Sequence, residues 1–325
     1  MSSGVCLAQN RYGKAENRVF RLNRNGDFHD ILDLNVTVQL CGDFEAMHLT
    51  GSNAACVATD SQKNTVFVMA QKLGGGAAMA PEAFALALGK HFLTTYPHIT
   101  RAEIGVEKYE WERIKVGTAP QPRAFKRSGS HVRTAKAVVD RRGEGSASLS
   151  AFVCSGIENL IILKSGDSEF KGYIKDQFTT LKESSDRIMA TEMSASWRMS
   201  CDDVDSLLQQ RWDEQFEQNM AQLLGAWAVH YSLSLQQTLY AMASALLQHQ
   251  PGVAAVRLSL PNKHHFPVDM APFGLPNDNS TFIAADRPYG LIEAVVNRQG
   301  ATQPPADLWP SWGLPRKTAA VKSRL

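Results

Sequence analysis

The sequence predicts an α+β fold of antiparallel sheets and helices, in an arrangement that occurs twice along the chain. Three observations carry this. First, ILDLNVTVQL alternates strictly, with Leu32, Leu34, Val36, Val38 and Leu40 on one face and Asp33, Asn35, Thr37 and Gln39 on the other. A sheet buried on one side and wetter on the other favours antiparallel pairing over a parallel sheet covered on both faces. Second, Phe84, Leu88 and Phe92 recur at helical spacing behind Pro81, a residue suited to a first helical turn. Third, a helix, a proline and an alternating strand recur. With Pro97 set against Pro251, an offset of 154 residues, Ile99 meets Val253, Ile104 meets Leu258 and Val106 meets Leu260. This points to a tandem duplication with its joint near 135–145, where RRGEGSAS supplies a break.

The elements follow in order. NRVFRLNR (17–24) reads as a strand that enters a turn at Asn25-Gly26-Asp27 and returns through the alternating strand. Thr59-Asp60-Ser61 looks like a turn or helix cap, and Asn64 to Gln71 (NTVFVMAQ) reads as a third strand. A glycine loop then leads into the helix from Pro81, and after Pro97 the chain returns to strand over 100–111. The basic stretch 123–142 reads as solvated loop and strand, and 146–165 as two strands around Gly156. Helices are expected near Phe178 and from Asp203 to His230. Ser234-Leu235-Gln236-Gln237 has the form of a capping box and opens a helix through Leu247. Pro251 ends it, VAAVRLSLP is the next strand, and PNKHHFP stands at that strand's end. The expected organisation is a first unit over 1–140, a second over 141–300 and a tail over 301–325.

Composition narrows the function classes. Thirty-four Lys plus Arg against 32 Asp plus Glu leave a net charge of +2, too little for a broad field that gathers nucleic acid or acidic membranes. Cys6, Cys41, Cys56, Cys154 and Cys201 show neither C-x-x-C pairing nor a zinc-ligand spacing, so reduced thiols in an intracellular compartment are expected, and no metal. No stretch approaches the ~20 apolar residues of a membrane span, and MSSGVCLAQNRYG lacks the apolar core of a secretory signal. Ser323-Arg324-Leu325 differs from the peroxisomal address Ser-Lys-Leu by one basic residue for another.

Four places hold polar residues where an apolar pattern would be simpler: Gly13-Lys14, Thr59-Asp60, the stretch Phe170 to Arg187, and Asn262-Lys263-His264. Taken singly, each has an ordinary reading as a surface lysine, a turn, half of a surface ion pair or a solvated strand end. Together they carry a resemblance. YGKAENRVFRL, VATDSQKNTVF, LIILKSGDSEFKGYIKDQFTTLKESSDR, TEMSASW, SLQQTLY and SLPNKHHF resemble, in that order, the motifs of the urate oxidase (uricase) family over roughly residues 9–300.

The resemblance implies two tandem tunnelling-fold units, each an antiparallel sheet with helices on one face, and a homotetramer that forms a hollow barrel with sites at subunit interfaces. It implies oxidation of urate by dioxygen and water to 5-hydroxyisourate and hydrogen peroxide without metal or organic cofactor, in a peroxisome entered through a receptor for the terminal tripeptide. Position by position, Lys14, Thr59 and His264 match the family's catalytic lysine, threonine and histidine. Phe170 matches the residue that stacks on the purine; Arg187 and Gln236 match the groups that grip its two edges. Leu235 offers a backbone amide where the family often has valine, Asp60 follows Thr59, and Asn262 matches the residue above the ring near dioxygen. The residue types suit the chemistry. A planar purine needs an aromatic face and a rigid guanidinium opposite an amide, while a lysine, a threonine hydroxyl and a histidine can pass protons through ordered water. The alternatives are another purine- or pterin-handling enzyme of the same fold and a catalytically silent purine-binding protein. The stretch 123–142 and the tail from Thr302 match no functional motif.

Overall fold

The computed structural model describes residues 4–74, 79–143, 148–302 and 308–309. Two compact units emerge, one formed by residues 1–156, 198–217 and 303–309, the other by 157–197, 218–302 and 310–325. Ser323-Arg324-Leu325 and most of the tail lie outside the described residues.

In the first unit, β1 (Tyr12–Asn25) and β2 (Phe28–Gly42) form an antiparallel hairpin. Gly26 supplies the positive φ of 60° that its turn requires. After a short α1 (Glu45–Leu49) come α2 (Thr59–Lys72) and α3 (Pro81–Thr95). Strand β3 (Ile99–Lys108) pairs with β2, the hairpin β4 (Trp111–Val116) and β5 (Ala119–Arg127) stands apart as its own two-stranded sheet, and β6 (Val132–Arg141) pairs with β3. Register explains the core. Val38, Ile104 and Ala137 lie side by side, as do Val36, Val106 and Ala135, so one sheet face is continuously apolar and α3 lies over it. Phe84, Leu88 and Phe92 of α3 are wholly buried there. On the opposite face Glu103 takes ion pairs from Arg11 and Lys136, and Arg101 pairs with Asp140.

The later part of the chain repeats this order. After β7 (Leu149–Lys164) and β8 (Met189–Met199) come α4 (Val204–Leu208), α5 (Trp212–Val229) and α6 (Leu235–His249), then β9 (Val253–Pro267) paired antiparallel with β10 (Phe282–Asn297). A 3₁₀ turn, Ala271–Phe273, lies between the last two strands. Helix α6 packs on β9 and β10. Leu258 and Leu260, the counterparts of Ile104 and Val106 at the 154-residue offset, are as fully buried as those two. Two strands, two longer helices and two strands therefore recur in each half, and the β4–β5 hairpin is an addition to the first.

Several local expectations are corrected. Asn64 to Gln71 is not a strand but the body of α2, whose buried residues Gln62, Val66 and Ala70 repeat every fourth position. Its apolar run includes Phe67 and Val68, which are exposed on the helix. No helix forms near Phe178. There Asp176 accepts hydrogen bonds from the Phe178 amide and the Thr179 hydroxyl, a local turn that competes with helix. The two strands around Gly156 are one, β7. PNKHHFP is itself strand, the last seven residues of β9, which runs to Pro267. The basic stretch 123–142 contains a core strand, and Arg133 within it is buried. Asp33 and Asn35, on the face expected to be wet, are also buried, because Arg18 and Trp111 bond Asp33 while Asn35 donates to Glu16 and Glu107. Among the described residues no helix is long and apolar enough to cross a membrane.

Candidate functional site

The sheet register decides where Lys14 points. Lys14 lies opposite Val38, on the face that the helices cover, and α2 packs against β1. The register then breaks between Lys14 and Asn17, so that Asn17, opposite Val36, returns to the same face. Without that bulge residues 14 and 17 would point to opposite sides. The buried Asn17 amide donates to the carbonyls of Lys14 (3.1 Å) and Val36 (2.8 Å), which closes the bulge. The start of α2 is tied to the same strand, because the Tyr12 hydroxyl accepts from the Val57 amide (2.7 Å) and donates to the Val57 carbonyl (3.2 Å). Burial drives the Tyr12 pKa up to about 12, so this latch stays protonated.

Thr59 and Asp60 are the first two residues of α2, both exposed, and neither bonds to Lys14. Asp60 pairs with Lys63 at 2.5 Å; that hydrogen bond and charge hold its carboxyl below the usual range, with a smaller contribution from Lys14. Between Lys14 and its latch, Gly13 leaves no room. A Cβ there would stand 1.8 Å from the Val38 carbonyl oxygen. Gly13→Ala is accordingly expected to cost at least about 1–3 kcal/mol of stability and to reduce activity by displacing Lys14. A variant with unchanged urea midpoint and turnover would contradict the close approach.

The second unit gathers the other candidates. Phe170 forms a two-way backbone bridge with Ser184 (2.9 and 3.1 Å) and stacks on Tyr173, with ring centroids 4.9 Å apart and planes 9° apart. The Arg187 guanidinium lies 5.2 Å from the Phe170 ring centre. Its backbone amide donates to the Ser168 carbonyl (3.0 Å) and its Nε to the Ser168 hydroxyl (3.1 Å). Its Nη2 is buried with no partner among the described residues, and burial lowers its pKa. The segment 167–169 is stapled to the turn before α6, since Ser232 donates to the Asp167 carbonyl and accepts from the Glu169 amide. The same turn starts α6, where Ser234 caps the Gln237 amide and the Gln237 side chain reaches back to the Leu233 amide. The amides of Leu235 and Gln236, first and second in that helix, have no helical partner. Leu235 is buried and the Gln236 side chain is exposed.

By strand alternation Asn262 and His264 lie on the face of β9 that carries Val256, Leu258 and Leu260. Asn262 pairs with Gly290 and His264 with Ala285, and the β10 register slips between those two partners. His265 lies on the other face and bonds only to the Lys263 carbonyl among the described residues, while Lys263 pairs with Glu192 at 2.7 Å. Burial, then the Arg187 charge and His265, hold the His264 pKa below the ordinary imidazole value. The folded chain takes up this proton less readily than the unfolded chain. The stability tied to neutral His264 is therefore fully present above the ordinary imidazole value and is lost as pH falls from there toward the folded one. Arg187→Met should move the His264 titration upward in proton NMR, and no movement would contradict their electrostatic contact.

Each unit thus carries part of the predicted set. Lys14, Thr59 and Asp60 meet where β1 faces the start of α2; Phe170, Arg187, Leu235, Gln236, Asn262 and His264 belong to the second unit. Sequence reasoning missed Tyr12, Ser168 and Ser232, which hold the others in place. Among the described residues, no three His, Cys, Asp or Glu side chains cluster as a metal's ligands would.

A family model described as Uricase matches residues 10–138 and 153–293. The chain belongs to the uricase family. Members of that family are urate oxidases, and this chain is such an enzyme. A uricase of Arthrobacter globiformis is 46% identical over 297 residues, 91% of each chain. One from Dictyostelium discoideum is 36% identical, with 90% of this chain and 97% of that one aligned. The crystal structure of the uricase from Arthrobacter globiformis superposes with a TM-score of 0.84 at 43% identity, covering 94% of this chain and 99% of the other. A Bacillus fastidious uricase shares the fold at a TM-score of 0.74 and 23% identity, covering 90% of this chain and 94% of its own. The antiparallel strands with helices, and the likeness to these structures, agree with the α+β tunnelling fold that the sequence led us to expect.

Proposed function

We propose that this uricase-family chain oxidises urate with dioxygen and water to 5-hydroxyisourate and hydrogen peroxide, with protons moved by Lys14, Thr59 and His264. The observation that carries the reading is Arg187: a half-buried guanidinium over an aromatic ring, with a buried N–H and no carboxylate partner among the described residues. A planar anion suits that group. Phe170 offers a face, Arg187 a charged fork, and the Leu235 and Gln236 amides a polar helix start suited to the opposite edge. Two electrons leave the urate ring for dioxygen, which takes up two protons to become hydrogen peroxide. Water supplies the hydroxyl at the ring carbon, so the atoms balance. Asn262 and His264 serve dioxygen and water above the ring. A neutral imidazole suits that place, because it can both accept and donate a proton.

Purified protein mixed with urate in air should bleach the urate ultraviolet band and release one peroxide per urate. Binding without bleaching would favour a silent purine-binding protein, and neither binding nor bleaching would overturn the reading. Activity that survives dialysis against a strong chelator supports electron transfer from urate straight to dioxygen; activity restored by one particular metal refutes it. Within this proposal four chains form a hollow barrel, each site drawing its Lys14–Thr59 part and its Arg187–Gln236–His264 part from different subunits. Ser323-Arg324-Leu325 is proposed as a peroxisomal address, so a fluorescent fusion should lose peroxisomal import when Leu325 is deleted.

A further inference from the structure

We propose that Ser168 is a positioning residue for Arg187, one that determines which edge of the guanidinium is left to meet a ligand. The inference rests on the reading of Arg187 as the anion-binding group. An arginine can offer a planar partner two edges, one through Nε and one Nη, the other through both Nη atoms. Here the Ser168 hydroxyl, wholly buried, accepts from Nε at 3.1 Å, while the backbone of the same serine accepts from the Arg187 amide at 3.0 Å. One residue thereby fixes both ends of Arg187. Nε is occupied, and the buried, unpartnered Nη2 belongs to the edge that remains.

The serine is itself held. Its hydroxyl points its hydrogen at the Met189 sulfur (3.8 Å), and that sulfur also takes the Ser232 hydroxyl (3.4 Å). Thr238 donates to Ser232 (2.8 Å). With its hydrogen turned to sulfur, the Ser168 oxygen presents lone pairs to Nε. The ligand class follows. A fork of two parallel N–H groups matches a planar anion with two adjacent acceptors on one edge, such as a deprotonated ring nitrogen beside a carbonyl oxygen. Removing the hydroxyl would free Nε and let the guanidinium turn about its long axis, so that the fork would no longer be set for that edge.

The test is equilibrium binding of urate under argon, where no dioxygen supports turnover, together with aerobic KM, kcat and thermal midpoint. Ser168→Ala is expected to weaken anaerobic urate binding and raise KM by about tenfold or more, the worth of one hydrogen bond to a charged group, with kcat changed less than about threefold. Ser168→Thr, which keeps the hydroxyl, should recover most of the affinity. Thr238→Val, two hydroxyls further from Arg187, should lower the thermal midpoint while leaving urate affinity near normal. If Ser168→Ala does not fold, Ser168→Cys, whose sulfur is a weak acceptor, is measured instead with the same expectation. Normal urate affinity in the folded Ser168 variant overturns the assignment, as does equal weakening in Thr238→Val. Unmodified protein that fails to bind urate sinks the reading of Arg187 as well, so the two failures are distinct.

Discussion

Lys14→Met is expected to bind urate under argon about as well as the unmodified protein and to turn it over at least about a hundredfold more slowly, the range that a positioned proton-transfer group supplies. On the proposed reading the ring is held by groups of the second unit, whereas Lys14 stands where β1 meets the start of α2. Methionine keeps the length of the side chain and removes its protons. Arg187→Ala should show the converse defect, with binding lost first. If each complete site draws on two subunits, the two inactive variants, unfolded together and reassembled, should regain activity, because some sites then pair an intact Lys14 part with an intact Arg187 part. A site contained in one chain gives no rescue, since every chain carries a defect. Near-normal turnover of Lys14→Met alone would remove that residue from the proton path.

The largest loss of stability is expected at a place with no part in the chemistry. Glu82, in the first turn of α3, is wholly buried; one oxygen accepts from Arg133 at 2.8 Å and the other from the Ser155 hydroxyl. Arg133 also pairs with Asp213 at 2.6 Å and lies 4.3 Å from the Phe216 ring centre. This cluster ties α3, β6, β7 and α5 to one another. Arg133→Met strands a carboxylate in the core, and breaking a buried pair from one side costs about 3–5 kcal/mol. Glu82→Leu should cost less, about 1–3 kcal/mol, because Arg133 keeps its pair with Asp213. The double variant should be more stable than either single one, since both buried charges are gone. Urea denaturation at fixed protein concentration measures all three, and singles within about 1 kcal/mol of the parent would mean that water reaches the cluster.

How much of this was legible depended on what a side chain does alone. The β2 alternation, the α3 stripe and the Ser234 cap could be read because each is a local pattern with one physical cause. Helix α2 could not, because Phe67 and Val68 are apolar yet exposed, and apolarity was taken as burial. The turn at Asp176 was hidden in the same way, with Ile174, Phe178 and Leu181 all exposed. At the site, the motifs picked out the side chains that differ from a plain apolar pattern. They could not pick out Ser168, Ser232 or Tyr12, whose importance lies in partners far along the chain. A serine in a serine-rich stretch carries no mark that it will receive an arginine 19 residues later.

The unpaired edge of Arg187 also joins ligand binding to folding in a single equilibrium. A guanidinium half out of water, with no carboxylate partner among the described residues, raises the free energy of the ligand-free native chain, and an anion that fits relieves it. Urate, on the reading above, binds only the folded form. At about a hundred times its dissociation constant it would then add about 2.7 kcal/mol to the stability of each site. The protein should consequently melt at a temperature that climbs with the logarithm of urate concentration under argon. It should survive proteolysis best when filled, and be most fragile when its substrate has just been exhausted.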